Sequence, residues 1–405
     1  MRNTAPEGTV PPAASGVGGA GLRPAGADVG QGRESQATRR VALSAPWVDE
    51  RDEELVLETL RSGWLSLGPT GPRFEECLAE AVGARHCAAV SSGTAGLHLS
   101  MRLAGVGPGD EVITSPFSFV ASANCAIYEG ATPVFVDIDQ RTYNLDPAAV
   151  EAAITDRTKA VVAVDIFGYP CELDALIELR DRHGLALVED ACEALGALYK
   201  GRPLGSHGHP TTFAFYPNKQ ITTGEGGAVT TNDDDEHELL VSLRNQGRLE
   251  TSSWLLHGRL GYNYRLDDVS AALGIGQLEK LDRILAARAA VAARYAELLS
   301  GVDVEPPLAD DDDHVRSWFV YVVKLPAGLD RDAVAARMQE HGVATAPYVP
   351  SIHLQPYMRE RYGFREGMLP VSEDCSARTL ALPFHARLDR DDQEYVVETL
   401  RTVLR

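Results

Sequence analysis

The chain has 405 residues, of which 44% are hydrophobic and 24% charged, a composition typical of a globular protein with one large core and a smaller one. Its formal net charge of −20 excludes nucleic acid and anionic membranes as expected partners, because a strongly acidic surface repels both. No apolar run reaches membrane-spanning length. The six cysteines lack CxxC pairs and regular spacing, which predicts reduced thiols in a cytoplasmic protein and neither disulfides nor a metal site.

The amino-terminal segment differs from the rest. Residues 1–40 are rich in Gly, Ala and Pro and lack aromatic residues, so we expect a disordered tail. A helix is predicted over residues 49–60. An irregular arm is expected to follow, in which regular structure is broken by Gly63, Gly68, Pro69, Gly71 and Pro72.

Alternating strands and helices predict the fold class. Strands are expected at 87–91, 111–114, 133–136, 160–164, 186–188, 212–215 and 228–231, and helical stretches separate the first five. This alternation predicts an α/β protein with a mostly parallel sheet covered on both faces. The last two strands follow each other closely, which predicts a local departure from parallel order.

The carboxyl-terminal third is predicted to form a second domain. A long helix over 267–299 is expected to bridge to it, followed by a strand at 317–325 and helices at 331–341 and 391–404. We therefore predict a large domain over 41–299 and a small α+β domain over 300–405.

Lys219 is a candidate nucleophile. It follows an apolar strand and a short turn, Phe215-Tyr216-Pro217-Asn218, with no other Lys or Arg close in sequence. A lysine in a partly dry pocket loses some preference for the ammonium form, and its neutral amine condenses with aldehydes to give imines. Taken alone, a solvated surface lysine is the more common alternative.

Two further segments change that balance. Asp190 ends the apolar run Ala186-Leu187-Val188-Glu189, and an aspartate at the carboxyl end of a parallel strand points into the ligand crevice. Such a carboxylate keeps the pyridine nitrogen of pyridoxal phosphate protonated; the alternative is a helix cap. Ser92-Gly93-Thr94 lies between a strand and a helix, where free backbone N–H groups bind phosphate, although an ordinary Ser/Thr cap has the same pattern.

The order of phosphate turn, aspartate and lysine, with the surrounding sequence, resembles the DegT/StrS family of pyridoxal-phosphate sugar aminotransferases over residues 44–400. The matching elements are Ser62-Gly63-Trp64-Leu65, Gly68-Pro69, Ser92-Gly93-Thr94, Pro116-Phe117-Ser118-Phe119-Val120, Glu189-Asp190-Ala191, Tyr216-Pro217-Asn218-Lys219, Gly224-Glu225-Gly226-Gly227 and Gly261-Tyr262-Asn263-Tyr264-Arg265. The resemblance implies the type I fold of pyridoxal-phosphate transferases, with a large mostly parallel-sheet domain and a smaller carboxyl-terminal α+β domain.

The resemblance also implies roles for individual residues. Lys219 would form the imine with pyridoxal 5′-phosphate and act as the base, while Asp190 would pair with the pyridinium nitrogen. Phe119 would stack on the ring, with core packing as the alternative. Ser92, Gly93 and Thr94 would hold the phosphate.

Other residues would act from further away. Asn263 would reach the phosphate of a neighbouring subunit, which implies a homodimer with shared sites; a polar turn is the alternative. Arg265 is a candidate for binding the donor carboxylate. His353 matches a loop that lines the sugar side, although a lone histidine is more often structural.

Two positions depart from the family. Many members carry serine at Ala214, which alanine cannot replace as a phosphate ligand. Many carry glutamine at Glu193, close to the phenolic oxygen of the cofactor, where a glutamate would be a like charge unless protonated or turned away.

The expected activity is transfer of an amino group from an amino acid, with glutamate as the expected donor, to a keto group of a nucleotide-linked deoxysugar, in amino-sugar, antibiotic or polysaccharide biosynthesis. A related dehydratase branch has histidine in place of Lys219, so lysine favours amino transfer. An aminotransferase acting on a keto-cyclitol is the alternative. A non-catalytic regulator with the same fold would be expected to lose Lys219 or Asp190, and a Rossmann dehydrogenase would need GxGxxG, which Ser92-Gly93-Thr94-Ala95-Gly96 is not.

Overall fold

The computed structural model of the chain describes residues 39–249 and 256–405. The predicted disordered tail at 1–40 lies outside the described residues except for its last two. All of the described residues belong to one compact unit. The division into domains at residues 299 and 300 stays a prediction.

Thirteen α-helices occur within the described ranges. Their bounds are α1 (Glu50–Ser62), α2 (Thr70–Val82), α3 (Gly93–Leu103), α4 (Ala121–Tyr128), α5 (Pro147–Ala153), α6 (Leu173–His183), α7 (Asp234–Arg244), α8 (Asp268–Leu278), α9 (Leu281–Leu298), α10 (Arg331–Glu340), α11 (Pro356–Tyr362), α12 (Pro370–Arg378) and α13 (Arg390–Val403).

Twelve strands occur in the same part of the chain. Their bounds are β1 (His86–Val90), β2 (Glu111–Thr114), β3 (Thr132–Phe135), β4 (Thr158–Val164), β5 (Ala186–Asp190), β6 (Leu198–Tyr199), β7 (Arg202–Pro203), β8 (Thr211–Ala214), β9 (Gly227–Thr231), β10 (His314–Val315), β11 (Tyr321–Lys324) and β12 (Thr379–Leu382).

Seven of these strands form the central sheet, in the order β1-β9-β8-β5-β4-β2-β3. The pairs from β8 through β5, β4 and β2 to β3 are parallel, whereas β9 runs antiparallel to both β8 and β1. The predicted mostly parallel α/β sheet is confirmed. The local departure expected at the last two strands is also found, because β8 and β9 are joined without a crossover helix.

Alternate residues of the central strands enter different apolar cores. Along β4, Val161 and Ala163 belong to a core with Phe74 and Phe213, whereas Val162 and Val164 belong to a second core with Phe117. Successive side chains of a strand point to opposite faces, so these two cores cover the two faces of the sheet. This arrangement leaves the strand ends as the edge where polar side chains gather.

The carboxyl-terminal elements surround a third apolar core. Tyr295 of α9, Val323 of β11, Leu380 of β12 and Val396 of α13 are all buried in it. The antiparallel pair β11–β12 is registered with Tyr321 opposite Leu382.

Two expected elements differ from the structure. The arm does not stay irregular, because α2 begins at Thr70 and Pro72 falls in its first turn, where a missing N–H costs no helical hydrogen bond. The predicted long helix is two helices, α8 and α9. The break lies at Lys280, whose buried ammonium pairs with Asp52 and, at 2.9 Å, with Asp49.

Candidate active site

The predicted aspartate and lysine lie at the same edge of the sheet. Asp190 is the last residue of β5, and its backbone pairs with Thr212 of the parallel strand β8. Lys219 lies in the turn after β8, where its N–H donates to the carbonyl of Tyr216 at 2.9 Å. Ligands of α/β sheets bind at the carboxyl ends of the strands. The structure therefore places both residues at the edge of the sheet where a ligand is expected.

Asp190 is a buried carboxylate that serine hydroxyls hold in place. Its Oδ2 accepts a hydrogen bond of 2.6 Å from Ser122, whose hydroxyl is 2.7 Å from that of Ser118. Its Oδ1 accepts only a long bond of 3.3 Å from the N–H of Cys192. Turns rather than a helix occupy residues 191–197, so the alternative of a helix cap does not apply.

The amino group of Lys219 lies between an acid and an aromatic ring. Nζ is 3.4 Å from Oε1 of Glu193 and 3.9 Å from the centroid of the Phe319 ring. The lysine side chain is only 13% exposed. A carboxylate and an aromatic face both attract a cation, so these two contacts give the end of a flexible side chain a defined position.

Glu193 faces the site and is not turned away from it. Its Oε2 accepts from the N–H of Phe167 at 2.9 Å, while Oε1 points to Lys219. Burial raises the pKa of the Glu193 carboxyl, and the neighbouring lysine opposes that rise. Burial thus shifts this carboxyl group toward its protonated form, whereas its contacts with Lys219 and the N–H of Phe167 favour the carboxylate.

The start of α3 forms a tight cradle. The hydroxyl of Ser92 accepts from the N–H of Ala95 at 3.1 Å, so Ser92 is the helix cap. The N–H groups of Gly93 and Thr94, the first two residues of α3, have no acceptor within the helix. A Cβ atom on Gly93 would lie 2.8 Å from Cβ of Ala214. A Cβ atom on Gly227 would lie 2.5 Å from the carbonyl carbon of Ser92. Only glycine allows this close approach, so the backbone itself lines the cradle.

Phe119 is 66% exposed, although it lies in an apolar sequence. The neighbouring Phe117 is fully buried and fills the core instead. Core packing therefore describes Phe117 and does not describe Phe119. Phe119 is free to cover a flat ligand.

Residues 262–265 alternate between two sides of an extended segment. Tyr262 and Tyr264 stack on each other, with ring centroids 5.0 Å apart, and Tyr264 shares a hydrogen bond of 3.0 Å with the buried His98. The backbone N–H of Ser91 donates to the carbonyl of Tyr264 at 2.8 Å. Asn263 lies between the two tyrosines and is exposed. The anchored tyrosines thus hold Asn263 on the outside of this chain.

Arg265 is half-buried and lies among other arginines. Its Nη1 donates to Oδ1 of Asn245 at 2.9 Å. Burial, together with the charges of Arg248 and Arg244, lowers the pKa of Arg265. The charge of Arg244 is balanced by its ion pair with Glu75, whereas Arg265 donates only to the neutral amide of Asn245.

His353 has no exposed surface. Its ring nitrogen Nε2 is 3.0 Å from Oε1 of Glu373, and the ring packs near Phe135 and Phe364. In this arrangement the imidazole contacts the body of the protein and not the solvent, so the structural alternative describes it better than a sugar contact does.

Three residues beside the lysine are absent from the sequence prediction. Phe319 provides the ring under Nζ, the hydroxyl of Tyr348 accepts from the side-chain amide of Asn218 at 3.3 Å, and Arg288 donates to the carbonyl of Lys219 at 2.9 Å. They lie 69 to 129 residues from Lys219 in sequence. Apolar patterning marks Phe319 as a strand residue, but no local signal connects any of the three to the lysine.

A buried strand-end aspartate, a lysine beyond the next strand and a glycine-lined helix start are the elements of a pyridoxal-phosphate transferase of the aminotransferase type. The profile of the DegT/DnrJ/EryC1/StrS aminotransferase family matches residues 46–401, and the chain belongs to this family.

Relatives and solved structures agree with this assignment. The chain is 39% identical to GDP-perosamine synthase of Caulobacter vibrioides, over 90% of this chain and 98% of that protein. The structure of DesV of S. venezuelae in complex with a ketimine intermediate has a TM-score of 0.83 and 34% identity, and 90% of this chain covers 99% of it. The PLP-form of the putative sugar aminotransferase Spr1654 from Streptococcus pneumoniae has a TM-score of 0.86 and 28% identity, with coverage of 90% and 99%. The chain is therefore an aminotransferase of a family of pyridoxal-phosphate enzymes.

Over the ranges that the structure covers, no helix is long and apolar enough to span a membrane.

Proposed function

We propose that this protein is a pyridoxal-phosphate-dependent aminotransferase that moves an amino group from an amino acid, with glutamate as the expected donor, to a keto group of a nucleotide-linked deoxysugar. The observation that carries the proposal is the meeting of Asp190, Lys219 and the start of α3 at one edge of the sheet.

The residues present fit the cofactor. The glycine-lined start of α3 offers backbone N–H groups to a phosphate. Oδ1 of Asp190, which accepts only the long bond from the N–H of Cys192 among the described residues, would accept from a protonated ring nitrogen. The exposed ring of Phe119 would cover one face. When bound, pyridoxal phosphate supplies an electron sink for the carbon that loses a proton.

Lys219 is the group that would hold the cofactor and move the proton. Its stem is fixed by the turn after β8, and its Nζ has a resting position between Glu193 and Phe319. An amine held in this way converts proton transfer into an intramolecular step. Glu193 would lie beside the phenolic oxygen of the cofactor, where burial raises the pKa of its carboxyl group and so lowers the cost of an uncharged form.

The phosphate site supports a homodimer with shared sites. Ala214 provides no hydroxyl beside Gly93, so its own chain leaves the phosphate short of one donor. Asn263 is exposed and held outward by its anchored neighbours, as a residue that serves another subunit should be. A two-fold interface would repeat this contact at both sites.

The substrates are inferred from nearby charge and from similarity to a relative. Arg265 provides positive charge for the carboxylate of an amino donor. The similarity to GDP-perosamine synthase supports a nucleotide-linked sugar as the acceptor. The six cysteines are free thiols, which fits a cytoplasmic location.

The test is a turnover assay with a matched panel of acceptors. Purified protein is incubated with pyridoxal phosphate, glutamate and either nucleotide-linked keto-deoxysugars or free keto-cyclitols of similar size, and amine formation is followed by mass spectrometry. We expect amino transfer to a nucleotide-linked sugar and none with Lys219→Ala. Transfer to cyclitols alone would establish the alternative acceptor. Tight cofactor binding without transfer to either class would contradict both proposed acceptors.

A further inference from the structure

Arg288 is a buried cation whose hydrogen bonds all go to backbone carbonyl groups. From α9 its Nη2 donates to the carbonyl of Lys219 at 2.9 Å, and its Nη1 donates to those of Trp318 and Phe319 at 3.1 and 3.2 Å. Within residues 39–249 and 256–405 no carboxylate forms an ion pair with it, and its buried Nε has no hydrogen-bond partner. A buried charge without a counter-ion costs free energy, so this arrangement calls for a reason beyond packing.

The guanidinium remains charged at neutral pH. Burial lowers the pKa of Arg288 to about 10, which is still well above 7. The adjacent His385 does not compete for the charge, because burial, reinforced by Arg288, lowers the pKa of that imidazole to about 4. The guanidinium carbon of Arg288 also lies 5.6 Å from the centroid of the Phe384 ring. Arg288 is therefore a fixed cation that three carbonyl dipoles stabilise.

These hydrogen bonds connect the two segments that determine the position of the lysine amine. One is the backbone of Lys219 itself, and the other carries Phe319, whose ring lies 3.9 Å from Nζ. Gln220, the residue after Lys219, connects the same two segments a second time. The amide of Gln220 donates to the carbonyl of Glu193 at 2.6 Å and to the hydroxyl of Ser317 at 2.7 Å. Arg288 thus fixes both the base of the lysine and the ring against which its amine rests.

We propose that Arg288 is a positioning residue that sets the place of the Lys219 amine. Its hydrogen bonds reach backbone carbonyls only, so it acts through the backbone at Lys219 and Phe319. The inference rests on the proposed function, because the placement matters only if Lys219 binds the cofactor. A displacement of about 1 Å at a reacting group reduces rates by as much as about 100-fold, so a side chain that fixes both segments controls how fast the amine reacts.

The experiment measures attachment of the cofactor and needs no turnover. Cofactor-free wild type, Arg288→Met and Arg288→Lys are mixed with pyridoxal phosphate, which condenses with an amine and releases water. Samples are reduced with borohydride at increasing times, and the label on the Lys219 peptide is quantified by mass spectrometry. Arg331→Met is the matched control, because Arg331 also donates to two backbone carbonyls, those of Ser376 and Thr379.

Attachment at Lys219 should slow about 10- to 100-fold in Arg288→Met, with Arg288→Lys between it and wild type, while Arg331→Met stays within about twofold. Melting curves show that the compared proteins are folded. If Arg288→Met does not fold, Arg288→Lys decides: a slowing of about threefold or more supports positioning. A folded Arg288 variant that labels Lys219 at the wild-type rate would overturn it. Wild type labelled on another lysine, or on none, would contradict the proposed function instead.

Discussion

Nζ of Lys219 lies 3.4 Å from Oε1 of Glu193, and both side chains are largely buried. The two groups come from the loops that follow β8 and β5, so the sheet determines their distance. This contact places an amine and a carboxyl group at one edge of the sheet, where the cofactor is expected.

Lys219→Ala should bind pyridoxal phosphate without a covalent bond and lose amino transfer by about 100-fold or more, because the variant lacks the group that moves the proton. Borohydride reduction of wild type followed by peptide mapping should place the pyridoxyl group on Lys219. A label on Lys280, the buried lysine between α8 and α9, would contradict the assignment.

Asp190→Asn should slow amino transfer far more than it weakens cofactor binding. The carboxylate is expected to keep the ring nitrogen protonated, and loss of such a preorganised contact raises the barrier by about 3 kcal/mol. Single-turnover rates and cofactor dissociation constants measure the two effects separately. Asp137→Asn is a matched control, because Asp137 also accepts from a serine hydroxyl, that of Ser372 at 2.6 Å. Equal rates for Asp190→Asn and wild type would show that Asp190 only holds Ser122.

Lys219→Ala and Asn263→Ala chains, each nearly inactive alone, should regain activity when subunits exchange. In the mixed dimer one site carries both lesions and the other is intact, so each heterodimer should have about half the wild-type activity. Lys219→Ala mixed with Asp190→Asn is the control, because both residues belong to the same chain's site and no intact site forms. If confirmed exchange restores nothing in the first mixture, Asn263 acts within its own chain.

Stability should fall between pH 6.5 and pH 4 partly because of His385. Burial lowers the pKa of His385 to about 4 in the folded protein, from 6.5 when unfolded. Within that window the unfolded chain binds the extra proton, so the free energy of unfolding decreases as the pH falls. His385→Gln should lose less stability than wild type between pH 7 and pH 5, by about 1 kcal/mol after allowance for partial exposure, as measured by denaturant titration. The exposed His183→Gln should leave the slope unchanged.

The sequence predicted the sheet well because its strands are short apolar runs bounded by turns. Each of the seven predicted strands overlaps a strand of the sheet, and β2 matches to the residue. Each of the two failures has its own cause. Pro72 looked like a breaker but occupies a first turn, and the helix break at Lys280 depends on Asp49 and Asp52, which lie more than 200 residues away.

The site was predictable where short motifs carry the chemistry. Lys219, Asp190 and Gly93 lie at strand ends and a helix start, which local patterns mark. Phe319 and Arg288 could not be found in this way, because their relation to the lysine exists only after distant segments pack together. His353 shows the opposite limit: its place in a motif did not reveal that it would be fully buried.

The distance along the chain between Lys219 and Phe319 has a consequence for synthesis. A ribosome has made the entire central sheet by residue 231, yet the ring that the lysine amine rests against follows almost 90 residues later. At about 5–20 residues per second, several seconds pass in which the nascent sheet has its lysine but not the contacts from Arg288 and Phe319. During that interval an emerging chain would meet free pyridoxal phosphate with an unplaced amine, so efficient loading should begin only as the last quarter of the protein leaves the ribosome.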